Sequence, residues 1–147
     1  MQLTEPGTLV LVGSYAPAAR AYVDQLADDG ALVLTIPREA VLNQDESYLM
    51  GIRSAAAGAV KQGRTVVVRS ENWPEAVLMT RRLAEKRLIS PEALDQRVRQ
   101  MLARAAVGVL HASGARRLIV VGRGTGAETL GLVGDQEGLR VEVRPGS

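Results

Sequence analysis

Five short apolar runs constrain the fold of this chain more than any other feature of its sequence. They are rich in Val, Leu and Ile and lie at residues 8–13, 31–36, 65–68, 118–121 and 139–143. Most are continuous rather than alternating, which is typical of strands covered on both faces. Helical patterns separate them, at about residues 17–29, 46–62, 74–87, 91–112 and 127–133. The alternation predicts an α/β fold in three layers: a Rossmann-like, mostly parallel sheet of about five strands with helices on both faces.

The ends of the predicted helices carry residues that favour helix starts and stops. Gly30, Gly63 and Gly114 lie where a left-handed C-cap is expected, and Ser90 precedes Pro91 as an N-cap. Residues 140–144 alternate strictly, which predicts an edge strand or one with a solvated face. Residues 37–45 are the longest stretch without a pattern and are predicted to be a mobile loop.

Composition narrows the class of protein. The 147 residues predict one domain spanning 1–147, and the hydrophobic share of 46% is that of an ordinary globular protein. A net charge of +2 and 3% aromatic residues argue against a nucleic-acid partner. The chain has no cysteine, no signal segment and no apolar run long enough for a membrane span, so a cytoplasmic location is predicted.

A glycine-rich turn at residues 122–126 is the sharpest functional signal. It consists of Gly122, Arg123, Gly124, Thr125 and Gly126, between the fourth apolar run and a helical pattern. Free backbone amides and the positive end of a helix dipole then meet at one point, which favours an anion. The prediction is a nucleotide-phosphate site. The alternative is a simple tight turn, since the spacing matches neither the P-loop nor the dinucleotide fingerprint.

Two further turns follow predicted strands and are expected at the same edge of the sheet. Gly13 and Ser14 follow the first strand, and Ser70 and Asn72 follow the third, just before Trp73. We predict that Gly13, Ser14 and Ser70 contact the nucleotide, although the serines and Asn72 could instead cap helices. Trp73 could stack on an adenine ring, but a core position is favoured.

The charged residues near these turns leave alternatives open. Arg123 suits bidentate phosphate binding, or it pairs with Glu71 or Glu128 on the surface. Glu71 could help to hold magnesium through water. His111, the only histidine, lies near a helix end and is given a structural role. No catalytic residue and no metal-ligating cluster is predicted.

Two of these turns carry a family resemblance. The sequence resembles the C-terminal nucleotide-binding domain of the four-carbon acid sugar kinases, a family long described as a domain of unknown function and sometimes labelled type III effector-like. That family has Gly-Ser-x-Ser-Pro after an early strand, which Gly13, Ser14 and Pro17 match. It has Gly-Gly-Asp-Thr-Ser-Gly after a late strand, which Gly122 and Thr125 match. This chain differs from the family at five motif positions. Ala16 replaces the second Ser of the first motif, and Arg123, Gly124, Gly126 and Ala127 replace Gly, Asp, Ser and Gly of the second.

The resemblance implies an ATP-binding domain whose acid-sugar partner domain is separate and carries an Asp-Asp-x-Thr-Gly-Ala motif that this chain lacks. The chain is then either a fragment of a longer kinase or a stand-alone relative, and an oligomer is compatible with its sequence. The expected function is binding of ATP or ADP with magnesium by a kinase-like domain that is not catalytic alone. The alternative is a non-catalytic interaction or regulatory module with a degenerate site.

Overall fold

The computed structural model describes residues 5–71, 73–134, 136 and 138–146 and contains one five-stranded sheet. Its strands are β1 (Thr8–Val12), β2 (Leu32–Ile36), β3 (Val66–Ser70), β4 (Arg117–Val121) and β5 (Arg140–Arg144). They lie in the order β2-β3-β1-β4-β5, and all four neighbouring pairs are parallel. The predicted α/β class and parallel sheet are therefore confirmed.

In the part of the chain that the structure describes, six helices connect these strands. They are α1 (Pro17–Asp28), α2 (Arg38–Leu42), α3 (Glu46–Lys61), α4 (Pro74–Lys86), α5 (Pro91–Ser113) and α6 (Arg123–Val133). The first helix covers one face of the sheet, where Ala19 and Val23 pack against Val10 and Val12 of β1. The opposite face carries a larger core, in which α3 and α5 pack on Leu9 and Leu11 and α6 packs on α5. Helices thus lie on both faces, in unequal numbers.

The predicted helix ends and the edge strand agree with the structure. Gly30, Gly63 and Gly114 all have positive φ, and Gly114 is the left-handed C-cap of α5. Ser90 Oγ accepts a hydrogen bond of 3.1 Å from the backbone amide of Ala93, so it caps the start of α5. β5 lies at the edge of the sheet, and three of its five residues are exposed.

Residues 37–45 differ from the prediction of an irregular loop, because they contain the short helix α2. Arg38, Val41 and Leu42 of this helix are buried, and Val41 belongs to the large core. An isolated helix of five residues is unstable in water, so its formation depends on the apolar contacts that tertiary packing supplies. The residue types of α2 favour a helix, but five residues are too few to show a helical periodicity.

The connections reverse direction next to β1. From β1 the chain runs to β2 at one edge of the sheet, whereas from β4 it runs to β5 at the opposite edge. Because β1 and β4 are neighbours, their carboxyl ends form the switch point at which ligands of open α/β sheets bind. Within the described ranges, no helix is long and apolar enough to span a membrane.

Candidate functional site

A cavity of about 330 Å³ lies at the carboxyl ends of β1 and β4. Its size falls at the lower end of the range of small-molecule sites, about 300–1,000 Å³. Three segments and one residue near the end of the chain form its lining: Gly13, Ser14 and Tyr15 after β1, Asp95, Val98 and Arg99 from α5, Gly122, Arg123, Gly124 and Thr125 after β4, and Gly146. The first and last predicted turns therefore meet at one site.

The glycine turn forms the first turn of α6, which begins at Arg123 rather than at the predicted residue 127. Gly122 is the N-cap residue with φ 114°, a conformation that favours glycine. Its carbonyl accepts a 2.9 Å hydrogen bond from Gly126, and its own amide donates to Arg144 at 2.8 Å. The amides of residues 123–125 belong to the first turn, where a helix offers no internal acceptors. They form a cluster of donors suited to an anion.

Two glycines of the predicted site serve close packing. A Cβ atom on Gly13 would overlap the hydroxyl of the buried Thr125, and one on Gly126 would come within 2.7 Å of Val143. Gly126 does not line the cavity. These residues let β1, α6 and β5 approach one another, and only Gly13 also borders the cavity.

The charge of the lining is positive, with two arginines and one carboxylate. Arg99 crosses above Gly124, where a Cβ atom would lie 3.0 Å from Arg99 Cδ. Arg123 is exposed, and no ion pair joins it to Glu71 or Glu128 among the described residues. The Oδ1 atom of Asp95 is buried without a hydrogen-bond partner in the described part of the chain. The two arginines suit an anion, whereas the Oδ1 atom of Asp95 needs a hydrogen-bond donor or a cation.

Ser14 joins two ends of the chain at the cavity. Its Oγ accepts from the amide of Ala16 at 3.1 Å and donates to the carbonyl of Gly146 at 3.2 Å. Ala16, not Ser14, is the N-cap residue of α1, so the simple capping alternative is wrong. The Ser14 hydroxyl instead fixes the turn two residues earlier and holds the C-terminal segment over it.

The third predicted turn lies at the same edge of the sheet but outside the cavity lining. Ser70 is 1% exposed, and its Oγ has no hydrogen-bond partner among the described residues. Trp73 is 37% exposed, so its expected place in the core is wrong: α4 begins directly behind it and leaves the ring at the surface. Asn72 lies outside the described residues.

Next to the cavity, a buried arginine links this third turn to the first. Arg38 Nη1 donates to the Tyr15 hydroxyl at 3.1 Å and to the carbonyl of Glu71 at 3.5 Å. Glu71 Oε1 accepts from the backbone amide of Arg38 at 2.9 Å. This bond at the start of α2 uses the carboxylate that was considered for magnesium, and Glu71 does not line the cavity. The Glu71 expectation is therefore not supported.

Sequence reasoning missed Arg38, Asp95 and Arg99. Arg38 lies in the stretch predicted to be a loop, and Arg99 lies on a helix with charges of both signs, which is typical of a solvated helix face. One signal was available, because Asp95 and Arg99 are four residues apart and so share one side of a helix. Which side faces the cavity depends on how α5 packs.

Arg144 and His111 have structural partners outside the cavity. A hydrogen bond to Glu142 raises the pKa of Arg144, whose guanidinium carbon lies 5.0 Å from the centre of the Tyr22 ring. His111 is exposed, and its Nε2 lies 3.5 Å from the side-chain amide of Gln136, in line with a structural role. No cluster of three or more His, Asp or Glu that could hold a metal occurs within the described ranges.

A parallel α/β domain with a glycine-lined cavity at its switch point has the arrangement of α/β proteins that bind ligands at the carboxyl ends of their strands. The family model for the nucleotide-binding C-terminal domain matches residues 9–136, so the chain belongs to that family. The resemblance to the C-terminal domain of the four-carbon acid sugar kinases is thereby confirmed. The comparison with curated proteins found no match.

Two solved structures of DUF1537 proteins have the same fold as this chain. A Haemophilus influenzae protein of the DUF1537 family superposes with a TM-score of 0.79 at 14% identity, over 100% of this chain and 38% of its own length. A DUF1537 domain from Bordetella bronchiseptica, solved with bound citrate as a domain-swapped dimer, gives 0.74 at 16% identity. That match covers 96% of this chain and 37% of the relative. The chain thus spans less than two fifths of either protein.

Proposed function

We propose that this chain is the nucleotide-binding domain of a kinase-like protein and holds the phosphates of ATP or ADP at the glycine turn. The observation that carries the proposal is the cavity at the switch point, where the first turn of α6 lies beside Arg99 and Arg123. A di- or triphosphate is an anion that suits a helix N-terminus with arginine donors beside it. Gly13 and Ser14 border the same space, and Ser70 lies beyond it.

Magnesium would arrive with the nucleotide. Sites for this ion use one or two carboxylates and complete its coordination with phosphate oxygens and water. Asp95 is the carboxylate that borders the cavity among the described residues, and its buried Oδ1 needs a partner. The residues present therefore fit a magnesium nucleotide. When bound, the ion neutralises phosphate charge; the chain's own part is to bind and orient the phosphates through backbone amides and guanidinium groups.

A second candidate is a non-catalytic interaction or regulatory module with a degenerate site. It is favoured by Gly124, which replaces the Asp of the resembled family. Arg99 fills the space beside it, because a Cβ atom on Gly124 would lie 3.0 Å from Arg99 Cδ. Under this alternative the glycines serve only the close packing seen at Gly13 and Gly126. Nucleotide binding by the purified chain separates the two functions.

Thermal unfolding in the presence of nucleotide is the direct test. Ligand at about 100 times its dissociation constant stabilises the folded state by roughly 2.7 kcal/mol. For a chain of this size, we expect ADP or ATP with magnesium to raise the melting temperature by several degrees. An unchanged melting temperature across millimolar nucleotide would favour the non-catalytic module.

A matched pair of variants on α6 tests the location. Gly124→Val places a branched side chain against Arg99 at the cavity, and we expect it to abolish the nucleotide-induced shift. Gly131→Val makes the same change on the same helix, where a Cβ atom meets nothing within 4 Å. It should keep the shift and leave the melting temperature of the free chain unchanged or slightly raised, since valine is a better helix former than glycine. A shift that Gly124→Val leaves unchanged would mean that the glycine turn is not the site.

A further inference from the structure

Arg38 is an unusual side chain for the interior of a protein. It is 1% exposed, and its Nε and Nη2 atoms are buried without hydrogen-bond partners among the described residues. No ion pair to it is found in this part of the chain, and the nearby Glu71 carboxylate accepts from the Arg38 backbone amide instead. A buried cation without a carboxylate paired to it opposes folding, and two neutral hydrogen-bond acceptors compensate this cost only in part.

The guanidinium group acts on one residue that borders the cavity. Its Nη1 donates to the Tyr15 hydroxyl at 3.1 Å, and its central carbon lies 5.3 Å from the centre of the Tyr15 ring. A phenolic hydroxyl has one proton. Because the Tyr15 oxygen accepts from Arg38, its own proton is left to donate to a different acceptor. A hydrogen bond from a cation also polarises the O–H group and makes it a better donor.

We propose that Arg38 is a positioning residue that fixes the Tyr15 hydroxyl as a hydrogen-bond donor to a phosphate oxygen of the bound nucleotide. The inference rests on the proposed function, since Tyr15 lines the same cavity as Arg123, Gly124 and Thr125. Tyr15 contacts the ligand, and Arg38 acts through Tyr15. The buried positive charge is then compensated in the nucleotide complex, where the phosphate brings negative charge to the carboxyl edge of the sheet.

A double-mutant cycle on ADP affinity tests this role. Tyr15→Phe removes only the hydroxyl, and Arg38→Met removes the charge while keeping an unbranched, buried chain. We expect each change to weaken ADP binding, measured by titration calorimetry, about tenfold, as for a hydrogen bond to a charged group. If the two residues form one unit, the double variant binds no more weakly than the weaker single variant.

Matched controls lie outside the cavity. The Tyr48 hydroxyl donates to the carbonyl of Thr35 and Arg97 donates to the carbonyl of Leu42, so Tyr48→Phe and Arg97→Met remove comparable groups. Both controls should bind ADP like the wild type. The melting temperature of free Arg38→Met should equal or exceed that of the wild type, which a purely structural role would not produce.

The outcomes separate the two proposals. Absence of ADP binding by the wild type overturns the proposed function and this inference together. ADP binding that Tyr15→Phe leaves unchanged overturns this inference alone. Additive losses in the double variant, or an Arg38→Met chain that does not fold, also overturn it, because Arg38 would then act independently of Tyr15 or serve the fold.

Discussion

The glycines at the carboxyl edge differ in what each one contributes. Gly122 needs its positive φ to end β4 and begin α6, whereas Gly13 and Gly126 are needed because another element approaches closely. All three were predicted to bind nucleotide from their place after a strand. Their position could be read from the sequence, but the reason for each glycine depends on a neighbour far along the chain. The contact of Gly13 with Thr125, more than a hundred residues away, is an example.

Gly13→Ala should destabilise the fold. The added methyl group would overlap the Thr125 side chain, which is 3% exposed and has little room to move. Overpacking of this kind costs about 1–3 kcal/mol. Urea unfolding should show a lower midpoint. The control is Gly51→Ala in α3, where the methyl group meets nothing within 4 Å and helix propensity should raise stability by about 0.5–1 kcal/mol. Equal midpoints for the two variants would contradict the close packing at Gly13.

Among the elements, α5 links the core to the cavity. It runs from Pro91 to Ser113, buries Leu94, Val98 and Leu102, and brings Asp95 and Arg99 to the ligand side. Its ends were predictable, because Ser90 and Gly114 act through local backbone chemistry. The role of its polar residues was not predictable, because a helix face of mixed charge has the same sequence pattern whether it faces solvent or a cavity.

Ser90→Ala tests the start of this helix. Loss of the hydrogen bond from the Ala93 amide leaves a helix-end donor unsatisfied and should cost about 1 kcal/mol. The melting temperature should fall by about 2–4 °C. Ser54→Ala, an exposed position inside α3, should leave it unchanged or slightly higher. An unaltered melting temperature in Ser90→Ala would show that tertiary contacts alone hold the helix start.

The short helix α2 depends on contacts with other elements more than on its own sequence. Its residues were predicted to be irregular, yet they place Val41 in the main core and Arg38 behind Tyr15. A helix of this length gains its stability from tertiary contacts. Residues next to the cavity can therefore come from a segment too short to show a periodic pattern.

For the molecule as a whole, we expect no phosphorylation of four-carbon acid sugars by the 147-residue chain alone. A domain that holds the phosphate donor does not by itself position an acceptor hydroxyl, and positioning supplies a large part of phosphoryl-transfer catalysis. General-base help, typically worth about 10²–10⁴ in rate, would also have to come from elsewhere. A coupled ADP-release assay over threonate-like and erythronate-like acids should give only background.

Sugar-dependent ADP release would contradict this expectation. If that release were also lowered by Asp95→Asn, the complete active site would lie within this chain, with the cavity carboxylate taking part. The same assay run with an unrelated, active kinase and its own substrate shows that ADP release is detectable under these conditions.

The sequence by itself determined the class of fold, the order of the elements and the turns at the sheet's carboxyl edge. Those features follow from local causes: apolar runs of strand length, helical periodicity, caps at Ser90 and Gly114, and glycines after β1 and β4. Only the tertiary structure decided which turns share a cavity. The order of the strands places the ends of β1 and β4 side by side, and the packing of α5 adds Asp95 and Arg99. The tertiary structure also buries Arg38, and a guanidinium group removed from water has a high desolvation cost that partners in the protein or a ligand must compensate.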